Sequence, residues 1–243
     1  MKGIMLLLTF FTRIPIRKVY SFDEEEFIKG IKFMPLIGLV IGGFLLIAVY
    51  LEEYIHRPIL SILIWIMYIC LTGALHIDGL SDTIDGIFSN RNKERMLEIM
   101  KDSRIGAFGV ISIVTLLALN ISLTVYIPLK YLFIMPVVGR SFGIISCSIS
   151  KYARSEGMGK LFIENCGAKE GIIAIIFLIV FGIPLYSAKF ILPIGLCFIA
   201  TMYFTRFFKR VLGGMTGDTI GFIIEITQSI FLIIIYLLRG WMI

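Results

Sequence analysis

Three aspartates, Asp78, Asp82 and Asp85, lie within eight residues of one another in the stretch GALHIDGLSDTIDG. Positions four and seven residues beyond Asp78 fall on the same face of a helix, so helical spacing places all three carboxylates together. Like charges at such spacing repel one another unless a cation lies among them. Mg²⁺ fits, because it usually takes one or two carboxylates together with phosphate oxygens of a substrate. The pattern indicates a metal site, and the alternative is a set of solvated charges at a helix end.

A second carboxylate pair occurs in GGMTGDTIGFIIEITQ, residues 213–228. Asp218 and Glu225 are seven residues apart and share one helical face. Glu225 lies about two turns inside an apolar segment, where a carboxylate is a candidate functional group. The alternative is a structural ion pair between Glu225 and Arg140, which also interrupts an apolar segment.

Several further residues are candidates for binding an anion or moving a proton. Gly214 and Gly217 predict a loop whose amides face an anion at a helix N-terminus. His76 precedes the first cluster by two residues and is a candidate general base, or else a hydrogen-bonded interfacial histidine. Basic side chains suited to phosphate are found near the acidic motifs, and these are Arg13, Lys101, Arg104 and Arg154.

Carboxylates, a metal and arginines together favour one class of reaction. We expect transfer of a phosphoryl group, or of another group with an anionic leaving group, assisted by Mg²⁺. Cations would neutralise the charge that develops as the bond breaks, and apolar helices would exclude water.

The elements that must position these residues are membrane helices. A mean hydropathy of +0.94 with 58% hydrophobic residues lies outside the range of soluble globular proteins. The net charge of +6 is then typical of basic cytoplasmic loops and not of a nucleic-acid-binding protein. We predict a single all-α integral-membrane domain over residues 1–243, and we expect its apolar surface to contact lipid.

Seven uncharged or nearly uncharged segments approach the length of about 20 residues that a membrane span requires. They cover residues 33–51, 58–77, 105–129, 131–150, 171–188, 190–205 and 219–238. The first ten-residue apolar run, between Lys2 and Arg13, is too short to span and is predicted to be interfacial. Ser21 is predicted to cap a surface helix that follows it.

The lysines and arginines support this count of spans. Along the chain, the successive connections carry 6, 1, 5, 1, 4, 1, 3 and 1 of them, which gives eighteen on one side and four on the other. By the positive-inside bias, the N-terminus and all the richly charged loops are cytoplasmic. We therefore expect a multi-pass protein of the cell membrane with its site on the cytoplasmic side.

Several motifs, in this order, resemble those of the cobalamin synthase family, the adenosylcobinamide-GDP ribazoletransferases. The resemblance is carried by GALHIDGLSDTIDG, KDSRIGAFGV and GGMTGDTIGFIIEIT, by Arg154 within KYARSEGMGK, and by the N-terminal LTFFTRIP and FMPLIGLVIGG. Together they cover nearly the whole chain.

The resemblance implies a reaction, a cofactor and roles for residues. Adenosylcobinamide-GDP would be joined to α-ribazole or its 5′-phosphate, with release of GMP and with a requirement for Mg²⁺. Asp78, Asp82 and Asp85 would bind the metal by their place in the family motif. Asp218 and Glu225 are predicted to form a second set, as metal ligands or as a base, although the motif match does not itself assign these roles. From the residues themselves, Asp82, Glu225 and His76 are expected to take part in catalysis. Assembly into a homo-oligomer is left open.

Two other classes remain as alternatives. The DxxxD spacing of Asp78 and Asp82 also occurs in membrane prenyltransferases and CDP-alcohol phosphotransferases, but their other motifs are not matched here. A transporter could use Arg140 and Glu225 as an ion path. Transporters, however, usually place such carboxylates near the bilayer midplane, whereas most here lie at predicted ends of spans.

Overall fold

A computed structural model describes residues 2–16, 20–238 and 240 of the chain. Arg17, Lys18 and Arg239, which enter the charge count above, lie outside the described residues. Within them the secondary structure is helical, apart from one isolated bridge between Tyr152 and Met215. The prediction of an all-α chain is confirmed.

The N-terminal part forms two elements that pack on each other. Helix α1 (Lys2–Phe11) is short, and α2 (Glu24–Gly30) begins a nearly continuous helical stretch. Asp23 caps α2, with its carboxylate accepting from the Glu26 backbone N–H, so the prediction of Ser21 as the cap is wrong. The stretch continues through α3 (Met34–Leu45) and α4 (Ile47–Leu51), and together they are long enough to span a membrane.

The second predicted span, over residues 58–77, is wrong as one straight helix. Helix α5 (Arg57–Thr72) ends early, and α6 (Leu75–Phe88) leaves it at 90°. Gly73 and Ala74 lie between them with φ of 62° and 58°, in the left-handed region. Only glycine adopts that region without steric cost, so the break is built on Gly73, and Ala74 follows under strain.

The remaining helices complete the bundle. Their bounds are α7 (Lys93–Ile99), α8 (Ala107–Tyr126), α9 (Tyr131–Ser148), α10 (Met158–Glu164), α11 (Ala168–Tyr186), α12 (Ile191–Val211) and α13 (Gly217–Leu237). Among the described residues, six helical stretches are long and apolar enough to cross a membrane, and the bent pair of α5 and α6 makes up to seven.

Helix α9 lies at the centre of the bundle and packs against α3, α11, α12 and α13. Its neighbours approach it closely where a glycine of one helix lies against the backbone of the other. A Cβ at Gly38 of α3 would lie 2.6 Å from the Pro136 carbonyl oxygen, and one at Gly139 would lie 2.8 Å from that of Ile224 in α13. Membrane helices are held by close packing of this kind, because lipid provides no hydrophobic force between them. The outer helices α8, α11 and α12 instead expose many large apolar side chains, as an integral-membrane protein requires.

Candidate active site

A cleft of about 240 Å³ lies where α6 and α13 cross beside the loop that precedes α10. Glycines allow the two helices to approach closely. A Cβ at Gly79 would lie 2.9 Å from the Asp218 carbonyl oxygen, and one at Gly221 would lie 2.9 Å from that of His76. This contact sets the first turns of α6 and α13, which carry Asp78 and Asp218, against each other.

Two carboxylates of α6 lie in this region without a hydrogen-bond partner among the described residues. Asp78 is exposed and lines the cleft, and Asp82, one turn further along, is half-buried. Asp82 is repelled by Asp78, Asp85 and Asp218 and is attracted by Arg154. The carboxylates therefore outnumber the cation beside them, which is an arrangement that favours binding of a further positive charge.

Arg154 faces these carboxylates from the loop between α9 and α10. Its Nη2 donates to Oδ2 of Asp218 at 2.7 Å, and both side chains are largely buried. Two backbone hydrogen bonds hold the loop in place, from the Ala153 N–H to the Met215 oxygen and from the Met215 N–H to the Lys151 oxygen, each 2.8 Å. The loop before α13 thus positions Arg154 over the first turn of that helix.

The start of α13 is organised by its own cap. The Thr216 hydroxyl accepts from the Thr219 N–H, while the Thr219 hydroxyl accepts from the Thr216 N–H. Gly217 follows the cap, lines the cleft and lies close to Gly159. A helix N-terminus with an arginine beside it suits an anion such as phosphate.

The opposite wall of the cleft is aromatic. The side chains that form it come from α1, α2, the 151–157 loop and α10, and they are Phe10, Phe11, Phe27, Tyr152 and Phe162. His76 lies among them, only 4% exposed, with its ring 5.6 Å from that of Phe11. The cleft therefore has one charged side and one apolar side.

Comparison with known proteins places this arrangement in a family. The family model described as cobalamin-5-phosphate synthase matches residues 3–236. The chain belongs to that family. Curated relatives named adenosylcobinamide-GDP ribazoletransferase include one from Alkaliphilus oremlandii, 51% identical over 99% of this chain and 99% of the relative.

Two further relatives carry the same name. The protein from Acetivibrio thermocellus is 41% identical, with 98% of this chain and 99% of the relative covered. The protein from Clostridium acetobutylicum is 42% identical, with 97% of this chain and 96% of the relative covered. No solved structure gives a significant match.

Asp85, expected beside Asp78 and Asp82, has a different local role in this family member. Its Oδ2 accepts from the Gly106 N–H at 2.7 Å, and its Oδ1 accepts from the Gly109 N–H at 2.8 Å. Both oxygens thus hold the first turn of α8, whose amides have no partner within the helix. Each oxygen of Asp85 thus already accepts one hydrogen bond, and its role as a metal ligand stays a prediction.

Glu225, expected to be catalytic, does not reach the cleft. It is fully buried in the bundle, where its Oε1 accepts from the Tyr68 hydroxyl at 2.7 Å. Gln228 joins this network by donating to the same Tyr68 oxygen at 2.9 Å. Arg140 contacts Gln228 and the Pro136 carbonyl oxygen and makes no ion pair with Glu225 among the described residues. Glu225 is thus placed as part of a buried polar network between helices.

Three of the expected phosphate-binding residues also lie away from the cleft. Lys101 is exposed after α7, and Arg104 is exposed and pairs with Asp102. The Arg104 guanidinium holds the pKa of Asp102 at about 2. Gly214 is buried against the Lys151 carbonyl oxygen, so its lack of a side chain serves packing.

Arg13 lies elsewhere, at the break between α5 and α6. Its backbone N–H donates to the Leu71 carbonyl oxygen at 2.8 Å, and its exposed side chain lies over Gly73. This is next to the start of α6 but outside the lining of the cleft. Of the expected phosphate-binding residues, the structure therefore brings Arg154 and Gly217 into the cleft.

The carboxylates near the cleft can be compared with the ligands that Mg²⁺ usually takes. Among the described residues, no three His, Cys, Asp or Glu side chains are arranged as a ligand set for one metal ion. Asp78 and Asp82 nevertheless present unpartnered carboxylates on successive turns. Because Mg²⁺ usually keeps several waters and takes one or two carboxylates with substrate phosphate, this pair fits it.

Proposed function

We propose that this protein is an adenosylcobinamide-GDP ribazoletransferase that joins that donor to α-ribazole or its 5′-phosphate and releases GMP. The observation that carries the proposal is the cleft itself, in which unpartnered Asp78 lies near the Arg154–Asp218 pair, with unpartnered Asp82 one helical turn beyond Asp78. The names of relatives that align over nearly the whole chain support the choice of substrates.

The bond changes define what the cleft must do. A hydroxyl oxygen of the ribazole sugar forms a bond to the phosphorus next to cobinamide. The bond from that phosphorus to the bridging oxygen breaks, GMP leaves with that oxygen, and the hydroxyl proton passes to water. Phosphoryl transfer of this kind depends mainly on positioning and on neutralising charge.

Arg154 and the start of α13 would hold the diphosphate, with the guanidinium contacting its oxygens. Asp78 and Asp82 would hold Mg²⁺, which when bound offsets the charge of the diphosphate as GMP departs. Asp78, the exposed member of the pair, would pass the proton to water. The apolar walls keep other nucleophiles away from the reacting phosphorus.

The site would face the cytoplasm. The alternation of eighteen basic residues against four supports that side, because cleft residues Asp78, Arg154 and Asp218 belong to the strongly basic connections or adjoin them. We propose a multi-pass protein of the cell membrane whose exposed apolar helices contact lipid.

The test is release of GMP by the purified protein given both substrates and Mg²⁺. Asp82→Asn should abolish release, because the amide cannot hold Mg²⁺ as a carboxylate does, while the protein still folds. Glu53→Gln, an exposed change outside the cleft, is the matched control and should turn over normally. Undiminished release by Asp82→Asn would remove the metal assignment. Absence of release by the unaltered protein, with prenyl or CDP-alcohol substrates consumed instead, would overturn the proposed function.

A further inference from the structure

The aromatic side of the cleft has a composition that the chemistry at phosphorus does not explain. Phe11 and Phe162 lie edge to face with ring centroids 5.8 Å apart, and Phe27 is 6.5 Å from Phe162. Phe10 packs edge to face on both Phe11 and Phe27. Such rings bind a flat aromatic group well, through stacked or edge-on contacts.

His76 adds one polar feature to this apolar wall. Its ring is almost fully buried, and neither Nδ1 nor Nε2 has a hydrogen-bond partner among the described residues. A buried polar atom without a partner is costly, and a native protein usually satisfies it with water or ligand. His76 lines the cleft, its two nitrogens are covered by neighbouring atoms, and a neutral imidazole has one N–H to give to a molecule that reaches it.

We propose that this aromatic compartment binds the base of the acceptor nucleoside, with His76 donating a hydrogen bond to the base's free ring nitrogen. The inference rests on the proposed function. The base of α-ribazole is dimethylbenzimidazole, a flat bicycle with an apolar methylated edge and one ring nitrogen that is not bonded to the sugar. One buried donor among phenylalanines matches one acceptor on an otherwise apolar ring.

The other aromatic groups of the substrates fit the compartment less well. Guanine carries hydrogen-bond donors and acceptors around its edge. Among the phenylalanines, most of these polar groups would lose their hydrogen bonds to water and find no replacement. The corrin ring is much too large for a cleft of about 240 Å³. With the acceptor base on the aromatic side, its sugar points toward Asp78, Arg154 and Asp218, and the donor's diphosphate lies on the open, charged side.

The test compares two acceptors that differ in one atom. The first is α-ribazole 5′-phosphate, and the second is an isosteric dimethylindole riboside phosphate in which C–H replaces the free ring nitrogen. With adenosylcobinamide-GDP saturating, the unaltered protein should prefer the first by about 10- to 100-fold in kcat/KM, the effect of one buried hydrogen bond. His76→Phe should remove that preference by lowering kcat/KM for the ribazole acceptor alone.

The controls separate this inference from the proposed function. His56→Phe changes the exposed histidine before α5 and should leave the preference intact. Phe162→Leu should raise KM for both acceptors while leaving KM for the donor unchanged. Equal losses for both acceptors in His76→Phe, or a raised donor KM in Phe162→Leu, would overturn the inference although GMP is still released. Failure of the unaltered protein to release GMP with either acceptor would instead overturn the proposed function.

Discussion

The guanidinium of Arg154 donates to the carboxylate of Asp218 at 2.7 Å, which joins the loop before α10 to the first turn of α13. The two residues are 64 positions apart in the chain. The carboxylate of Asp82 on α6 is attracted by the same guanidinium, and it is repelled by the carboxylates of Asp78 and Asp218. Arg154 therefore connects the two acidic motifs, and its removal should affect both.

Arg154→Ala should lower kcat/KM for GMP release by about 100-fold or more, because a preorganised donor to the diphosphate is lost. It should also destabilise the protein by about 1–3 kcal/mol, since the largely buried Asp218 loses its partner. Steady-state kinetics and thermal unfolding in detergent measure the two effects. Adding Asp218→Asn should recover stability but not activity. Recovery of activity in the double variant would show that Arg154 serves only to neutralise the charge of the Asp218 carboxylate.

Asp85→Ala should lower the free energy of unfolding and leave the Mg²⁺ dependence of turnover unchanged. Its carboxylate bonds the Gly106 and Gly109 amides at the start of α8, and loss of such a helix cap costs about 1–2 kcal/mol. Thermal unfolding and a titration with Mg²⁺ distinguish the two roles. A markedly higher Mg²⁺ requirement with unchanged stability would return Asp85 to the metal site.

Gly79→Ala and Gly221→Ala should both separate α6 from α13 and misplace the aspartates of α6. A Cβ at either position would lie within 3.0 Å of a carbonyl oxygen of the other helix, and overpacking of this kind costs about 1–3 kcal/mol. Gly43→Ala is the matched control, since its Cβ would meet nothing within 4 Å. Thermal unfolding and GMP release measure the outcome. Normal activity of both cleft variants would mean that the crossing of α6 and α13 is not what positions Asp78 and Asp82.

The membrane architecture was largely predictable, because apolar length and alternating basic loops are properties of composition. The break after α5 was not. It depends on left-handed backbone at Gly73 and Ala74, and alanine gives no local signal for that conformation. The 58–77 segment therefore appears from its sequence to be one span.

The charged half of the site was also predictable in part. Asp78, Arg154 and Asp218 were expected on one side of the membrane, and the structure brings them into one cleft. The aromatic half was missed because Phe27 and Phe162 come from distant segments and look like any lipid-facing apolar residue. The paired phenylalanines of LTFFTRIP and the LF that follows KYARSEGMGK were the available signal. The partners of Asp85 and Glu225 could not be predicted, because spacing shows which face a carboxylate is on but not which donors occupy its oxygens.

Glu225→Gln should retain turnover within several-fold, because its amide oxygen can still accept from the Tyr68 hydroxyl. Tyr68→Phe should have the larger effect and lower the free energy of unfolding by about 1–3 kcal/mol, because it leaves the buried carboxylate without that donor. Thermal unfolding and GMP release of the two variants, measured side by side, separate a structural role from a catalytic one. If Glu225→Gln instead lost turnover by about 100-fold with unchanged stability, the scale of a catalytic acid or base, Glu225 would take part in the chemistry and the buried network would have to communicate with the cleft.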